Sequence, residues 1–139
     1  MAPDSHHAER TFPAERDRIR DVVAFVCDSS GRAGLAPQRL KHLELAVEEA
    51  VVNVCNYAYG EGGGAVTVRV ATDASRVTVE IEDAGAPFDP TAMPEPDLTG
   101  DVDERPIGGL GVHLVHTLMD EVAYRREDGR NVFTMVLKG

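Results

Sequence analysis

Residues Ala65–Gly85 read AVTVRVATDASRVTVEIEDAG. Val66, Val68 and Val70 alternate with Thr67 and Arg69, and Val77, Val79 and Ile81 alternate with Thr78, Glu80 and Glu82. A period of two marks strands with one buried face, so this stretch predicts two half-buried strands joined by a turn at Thr72–Ser75. The second strand closes on Asp83-Ala84-Gly85.

The period on either side of this hairpin is different. Upstream, from about Ala14, Ile19, Val22, Val23, Val26 and Cys27 share one face at helical spacing, and Ser29, Ser30, Gly31 and Gly34 end the helix. Pro37 suits the first turn of a second helix. That helix carries an apolar stripe through Leu40, Leu43, Val47, Ala50, Val51, Val54 and Ala58 and stops at the glycines of residues 60–64. A short strand is expected near Arg10–Phe12, after a loose tail. Downstream, Thr91–Pro106 holds Pro94, Pro96, Gly100 and five acidic residues, and reads as a long loop. Gly108-Gly109-Leu110-Gly111 opens a third helix that runs through about Met119. Strands near Val122–Arg126 and Val132–Leu137 flank the turn signal Asp128-Gly129. Both faces of the last strand carry apolar residues, so its buried face stays open. Hairpins segregated from helices predict an α+β two-layer sandwich: a mixed, mostly antiparallel sheet with helices on one face.

Composition sets outer bounds. At 139 residues the chain has room for one domain. Fourteen Lys and Arg against twenty-four Asp and Glu give a net charge of −10, which argues against direct nucleic-acid binding and against an anionic membrane surface. No apolar run is long enough to span a bilayer, and Met1–Arg16 lacks a signal-peptide core, so a cytoplasmic location is expected. Cys27 and Cys55 read as small core residues, and His6, His7 and His42 as surface residues. His113 and His116 have no zinc-type spacing around them.

Three clusters have chemical potential. On the second helix, Glu49 and Asn53 are one turn apart on one face, at the edge of the apolar stripe, whereas Glu48 points to solvent. A carboxylate and a carboxamide so placed suit a water or hydroxyl together with Mg²⁺, a cation that takes oxygen ligands; they equally suit an ordinary polar helix edge. Asp83, delivered by a strand end, is an acceptor for an exocyclic amino group, and Gly85 lets the backbone approach a flat ring. An Asp-initiated turn would look the same. The Gly108–Gly111 run before a helix suits phosphates, or a plain flexible connection. It is neither a Walker A loop nor a dinucleotide fingerprint.

Taken in order, the stretches LELAVEEAVVN (residues 43–53), DAGAPFDP (83–90) and RPIGGLG (105–111) resemble the N, G1 and G2 boxes of the GHKL ATPase superfamily, and more narrowly those of RsbW-like anti-sigma factor serine kinases. The resemblance implies a Bergerat-type, histidine-kinase-like ATPase domain over residues 10–139, after a flexible tail of residues 1–9. It implies ATP and Mg²⁺ as cofactors. Asn53 would be the metal ligand, Asp83 and Gly85 would hold adenine, and Gly108, Gly109 and Gly111 would give backbone contacts to the phosphates. Residues 91–106 would be the ATP lid. Glu49 would be the general base and Arg105 would steady the γ-phosphate. It further implies phosphorylation of a STAS-domain anti-sigma factor antagonist on Ser, binding of a sigma factor in a partner switch, and a homodimer. The alternative is a non-catalytic ATP-binding module that sequesters a regulatory partner.

Overall fold

A computed structural model describes residues 6–59, 63–73, 76–87, 115 and 117–138, the side chains of Arg32 and Tyr57 excepted. Strand β1 (His6–Pro13) leads through a 3-10 turn (Arg16–Arg18) into helix α1 (Ile19–Ser30). A second 3-10 turn (Gly31–Ala33) precedes helix α2 (Pro37–Asn53), which widens into a π-helical turn (Val54–Ala58). Strands β2 (Ala65–Asp73), β3 (Arg76–Asp83), β4 (Glu121–Glu127) and β5 (Arg130–Lys138) follow. The sheet order is β1-β2-β3-β5-β4. Among the described residues all four pairings are antiparallel, where a mixed, mostly antiparallel sheet was expected.

The helices and one sheet face share a core. Val22 and Val26 of α1, with Leu43, Ala46, Val47, Ala50 and Val51 of α2, meet Val66, Val68, Val70, Val77, Val79 and Ile81. Phe12 of β1 packs edge-on against Phe25 at 5.9 Å between ring centroids, which joins the first strand to α1. The valine alternation therefore does what its period requires, and the α2 stripe lands on it.

The expected boundaries shift for local reasons. Helix α1 begins at Ile19 rather than near Ala14, because the chain first makes the 3-10 turn over Arg16–Arg18. Gly34, at φ 65°, supplies the left-handed residue that ends the helical run. Strand β1 starts at His6, not near Arg10. His6–Glu9, expected in the tail, pair with Thr72–Arg69, and that edge strand has too few apolar residues to announce itself. Asp128 (φ 52°) and Gly129 (φ 77°) form the tight turn that their sequence signals.

Strand β5 resolves its ambiguity by burying both faces. Phe133, Met135 and Leu137 enter the core, whereas Val132 and Val136 are buried on the outer face. There Val132 lies opposite Glu82 and Arg125, whose charged heads continue into a lattice of ion pairs: Arg69 with Glu9 and Glu82, Arg125 with Glu80, and Arg130 with Glu82. Long charged side chains shield apolar surface with their stems, so an outer-face valine can be buried without a second layer. No helix among the described residues is long and apolar enough to cross a membrane.

Candidate functional site

The polar residues of interest gather where the end of α2 meets the ends of β3 and β5. Asp83 and Asn131 are direct partners in the β3–β5 register, both on the helix-covered face. Asp83 is 5% exposed and Asn131 3%. Oδ1 of Asp83 accepts the Gly85 N–H at 2.9 Å and the Asn131 amide at 2.9 Å. The first bond is an Asx-type turn, so the bland reading of Asp83 also holds locally. The same Asn131 amide donates to Ala86 O at 2.7 Å, and its Oδ1 accepts from Tyr124 (2.6 Å) and Arg126 (3.2 Å). Arg126 also donates to Gly85 O at 2.8 Å.

The end of α2 reaches this network directly. Ala86 N–H donates to Ala58 O at 2.7 Å, which satisfies a carbonyl that the helix end leaves open. Tyr59 then acts as a clamp. Its hydroxyl donates to Ala65 O at 2.6 Å and accepts the Ala84 N–H at 2.8 Å. Gly85 owes its identity to this junction: a Cβ there would lie 2.0 Å from Ala58 O. Close approach of a flat ring was the expected reason; close approach of the helix end is the one seen.

On α2 itself Glu48 is exposed and Glu49 half-buried, as their spacing predicts. Asn53, expected at a pocket rim, is only 2% exposed. It sits where the α-helix gives way to the π-turn, a widening often found at functional sites. Its Oδ1 is buried and has no hydrogen-bond partner among the described residues. Buried acceptors are normally paired, so this one calls for an explanation. Burial, and to a lesser degree the neighbouring Glu48, hold the Glu49 carboxyl above the usual carboxylate range. A carboxylate so placed is a better proton acceptor than one in free solvent.

Other expected residues behave differently. His42, expected at the surface, is half-buried, and its Nδ1 is buried without a partner among the described residues. Cys27 and Cys55 are half-buried rather than deep core. Burial, reinforced by Glu44, pushes the Cys27 thiol up to about 11, which leaves it unreactive. Arg105, Gly108, Gly109 and Gly111, the expected lid over residues 91–106, and His113 and His116 lie outside the described residues. Asn131, Tyr124, Arg126 and Tyr59 were not anticipated. The one available signal was Asn131, a polar residue at an inward position of an otherwise apolar strand.

Comparison with known proteins decides the family. The model of the histidine kinase-like ATPase domain matches residues 12–137. The chain belongs to that family. It is 26% identical over 128 residues to the serine-protein kinase RsbW of Bacillus cereus (strain G9842), covering 89% of this chain and 80% of that protein. It is 25% identical, with the same coverage, to RsbW of Bacillus mycoides (strain KBAB4). Among solved structures, the RsbU and RsbW domains of Rv1364c from Mycobacterium tuberculosis superpose with a TM-score of 0.67 at 15% identity, over 96% of this chain and 32% of that one. A chain of the SiaB–SiaC complex from Pseudomonas aeruginosa gives 0.57 at 17% identity, over 94% and 88%. These likenesses support the Bergerat-type fold that the ordered boxes imply. The sequence likeness to RsbW bears out the narrower resemblance within the histidine kinase-like ATPases.

Proposed function

We propose that this protein is an ATP-dependent protein serine kinase of the RsbW type. In this reading it phosphorylates a STAS-domain antagonist on Ser and binds a sigma factor when that antagonist is not available. The observation that carries the reading is the pairing, one helical turn apart on α2, of a half-buried Glu49 with a buried Asn53 whose Oδ1 has no partner among the described residues. An unsatisfied carboxamide oxygen fits a hard cation that takes oxygen ligands. Among the described residues no group of three or more His, Cys, Asp or Glu could hold a metal. Asn53 would therefore share Mg²⁺ with phosphate oxygens and water, the usual way this ion is bound beside nucleotides. Bound there, the ion would neutralise charge on the phosphates.

The chain's own residues would do the rest. Asp83 would accept a hydrogen bond from the adenine amino group, with Gly85 beside it. Gly108, Gly109 and Gly111 would hold phosphate oxygens through backbone N–H groups, and Arg105 would pair with the γ-phosphate. Glu49 would take the proton of the substrate hydroxyl. A bond forms between that Ser oxygen and the γ-phosphorus, the bridging P–O bond to the β-phosphate breaks, and ADP leaves. Positioning supplies most of the rate in such a transfer. A homodimer in the cytoplasm completes the proposal.

The test is transfer from radiolabelled ATP to a candidate STAS protein. Serine labelling by the native protein, lowered about 10²–10⁴-fold in Glu49→Gln with ATP affinity kept, is the expected result. Tight ATP binding without transfer to any partner would favour the non-catalytic, sequestering alternative. Labelling that is undiminished in Glu49→Gln would remove the base assignment.

A further inference from the structure

The proposed site contains a polar relay that the reading above leaves without a task. The exposed Arg126 and the half-buried Tyr124 converge on the buried Asn131, which in turn meets the buried Asp83. An Asn amide has one accepting end and one donating end, and their orientation follows from what surrounds them. Here Tyr124 and Arg126 both donate to Oδ1, at 2.6 and 3.2 Å. A flipped amide would set its NH₂ against the guanidinium and its oxygen against Asp83 Oδ1 and Ala86 O, forfeiting three bonds. The NH₂ is thus directed at Asp83 Oδ1 (2.9 Å) and Ala86 O (2.7 Å). The Gly85 N–H reaches the same Oδ1 at 2.9 Å. Among the described residues both donors to the carboxylate fall on one oxygen, which leaves Oδ2 as the accepting one.

We infer that Asn131, held in one orientation by Tyr124 and Arg126, is a positioning residue that fixes Asp83 as an acceptor and so sets the preference for a purine presenting an amino group over one presenting a carbonyl at that point. The inference rests on the nucleotide-site reading. The physics is that of a buried polar pair: a ligand that meets the acceptor with a donor gains a bond, whereas one that meets it with an oxygen leaves both groups desolvated and unpaired. Without Asn131 the carboxylate keeps only the Gly85 N–H of its two donors among the described residues, and the loop of residues 84–87 loses its tie to Asn131 at Ala86 O. Arg126, through Gly85 O, holds the other side of the same loop.

The experiment compares dissociation constants for ATP, GTP and inorganic tripolyphosphate in the native protein, Asn131→Ala and Tyr124→Phe, with a melting curve for each. The native protein should prefer ATP to GTP. In Asn131→Ala that ratio should fall roughly tenfold, while tripolyphosphate binding is unchanged; Tyr124→Phe should move the ratio in the same direction by less. A loss of stability with the ratio intact, or equal weakening of both nucleotides, would overturn the inference. If Asn131→Ala does not fold, an unchanged ratio in Tyr124→Phe overturns it instead. A native protein that binds ATP no better than tripolyphosphate would overturn the nucleotide-site reading itself, a result distinct from the others.

Discussion

Glu49 is under two opposing demands. Burial and Glu48 raise its folded pKa above the ordinary 4.5. Its ionisation therefore works against folding: the contribution favours the fold below the unfolded value and is lost as pH rises through the folded value. Glu49→Gln cannot ionise, so at pH 7 it should melt slightly above the native protein, with the gap closing in thermal scans below about pH 4. The same substitution should lower phosphotransfer, so stability and activity would move in opposite directions, as they do where a site is built at the expense of the fold. Gly85 faces a steric limit. A methyl there meets Ala58 O at 2.0 Å, a backbone atom that cannot swing aside. Gly85→Ala should cost about 1–3 kcal/mol in denaturant unfolding, through the shift forced on the α2 end.

Tyr59 is a single side chain that binds three elements, and its effect is read at their scale. It bridges the start of β2, through Ala65 O, to the residue after β3, through Ala84 N–H, from the end of α2. Tyr59→Phe keeps the ring against Gly64 and removes both bonds. Chemical denaturation should show a loss of about 1–2 kcal/mol. Nucleotide affinity should fall with it, because Asp83 immediately precedes the residue that loses its partner. At this scale the sequence was readable wherever a period was clean. The valine alternation of β2 and β3, the α2 stripe and the Asp128-Gly129 turn all appear as predicted. The helix face also separated Glu48 from Glu49 correctly. The rest failed for a physical reason: the relay around Asn131 exists only because β3 and β5 pair, and residues 48 positions apart in the chain show no joint periodicity. The π-turn after Asn53 was equally hidden, since its residues continue the helical stripe without a break.

For the whole molecule, the boundary of the folded unit is the part that local pattern misplaced. A chain trimmed of residues 1–9 at the expected tail would lose the four residues that pair with Arg69–Thr72, and with them the Arg69–Glu9 ion pair at 2.6 Å. Its melting temperature should drop by several degrees, on the order of 1–2 kcal/mol. If trimming at that point leaves the melt unchanged, the paired edge contributes nothing. The sheet order β1-β2-β3-β5-β4 has a different consequence. Among the described residues β5 lies between β3 and β4, so β4 at the edge is held by β5 alone, and the hairpin of β4 and β5 joins the rest of the sheet only through β3. A change in the tight turn at Asp128-Gly129 is therefore transmitted along β5 to Asn131 and so to Asp83, which makes this remote reversal of the chain a steering point for the candidate site.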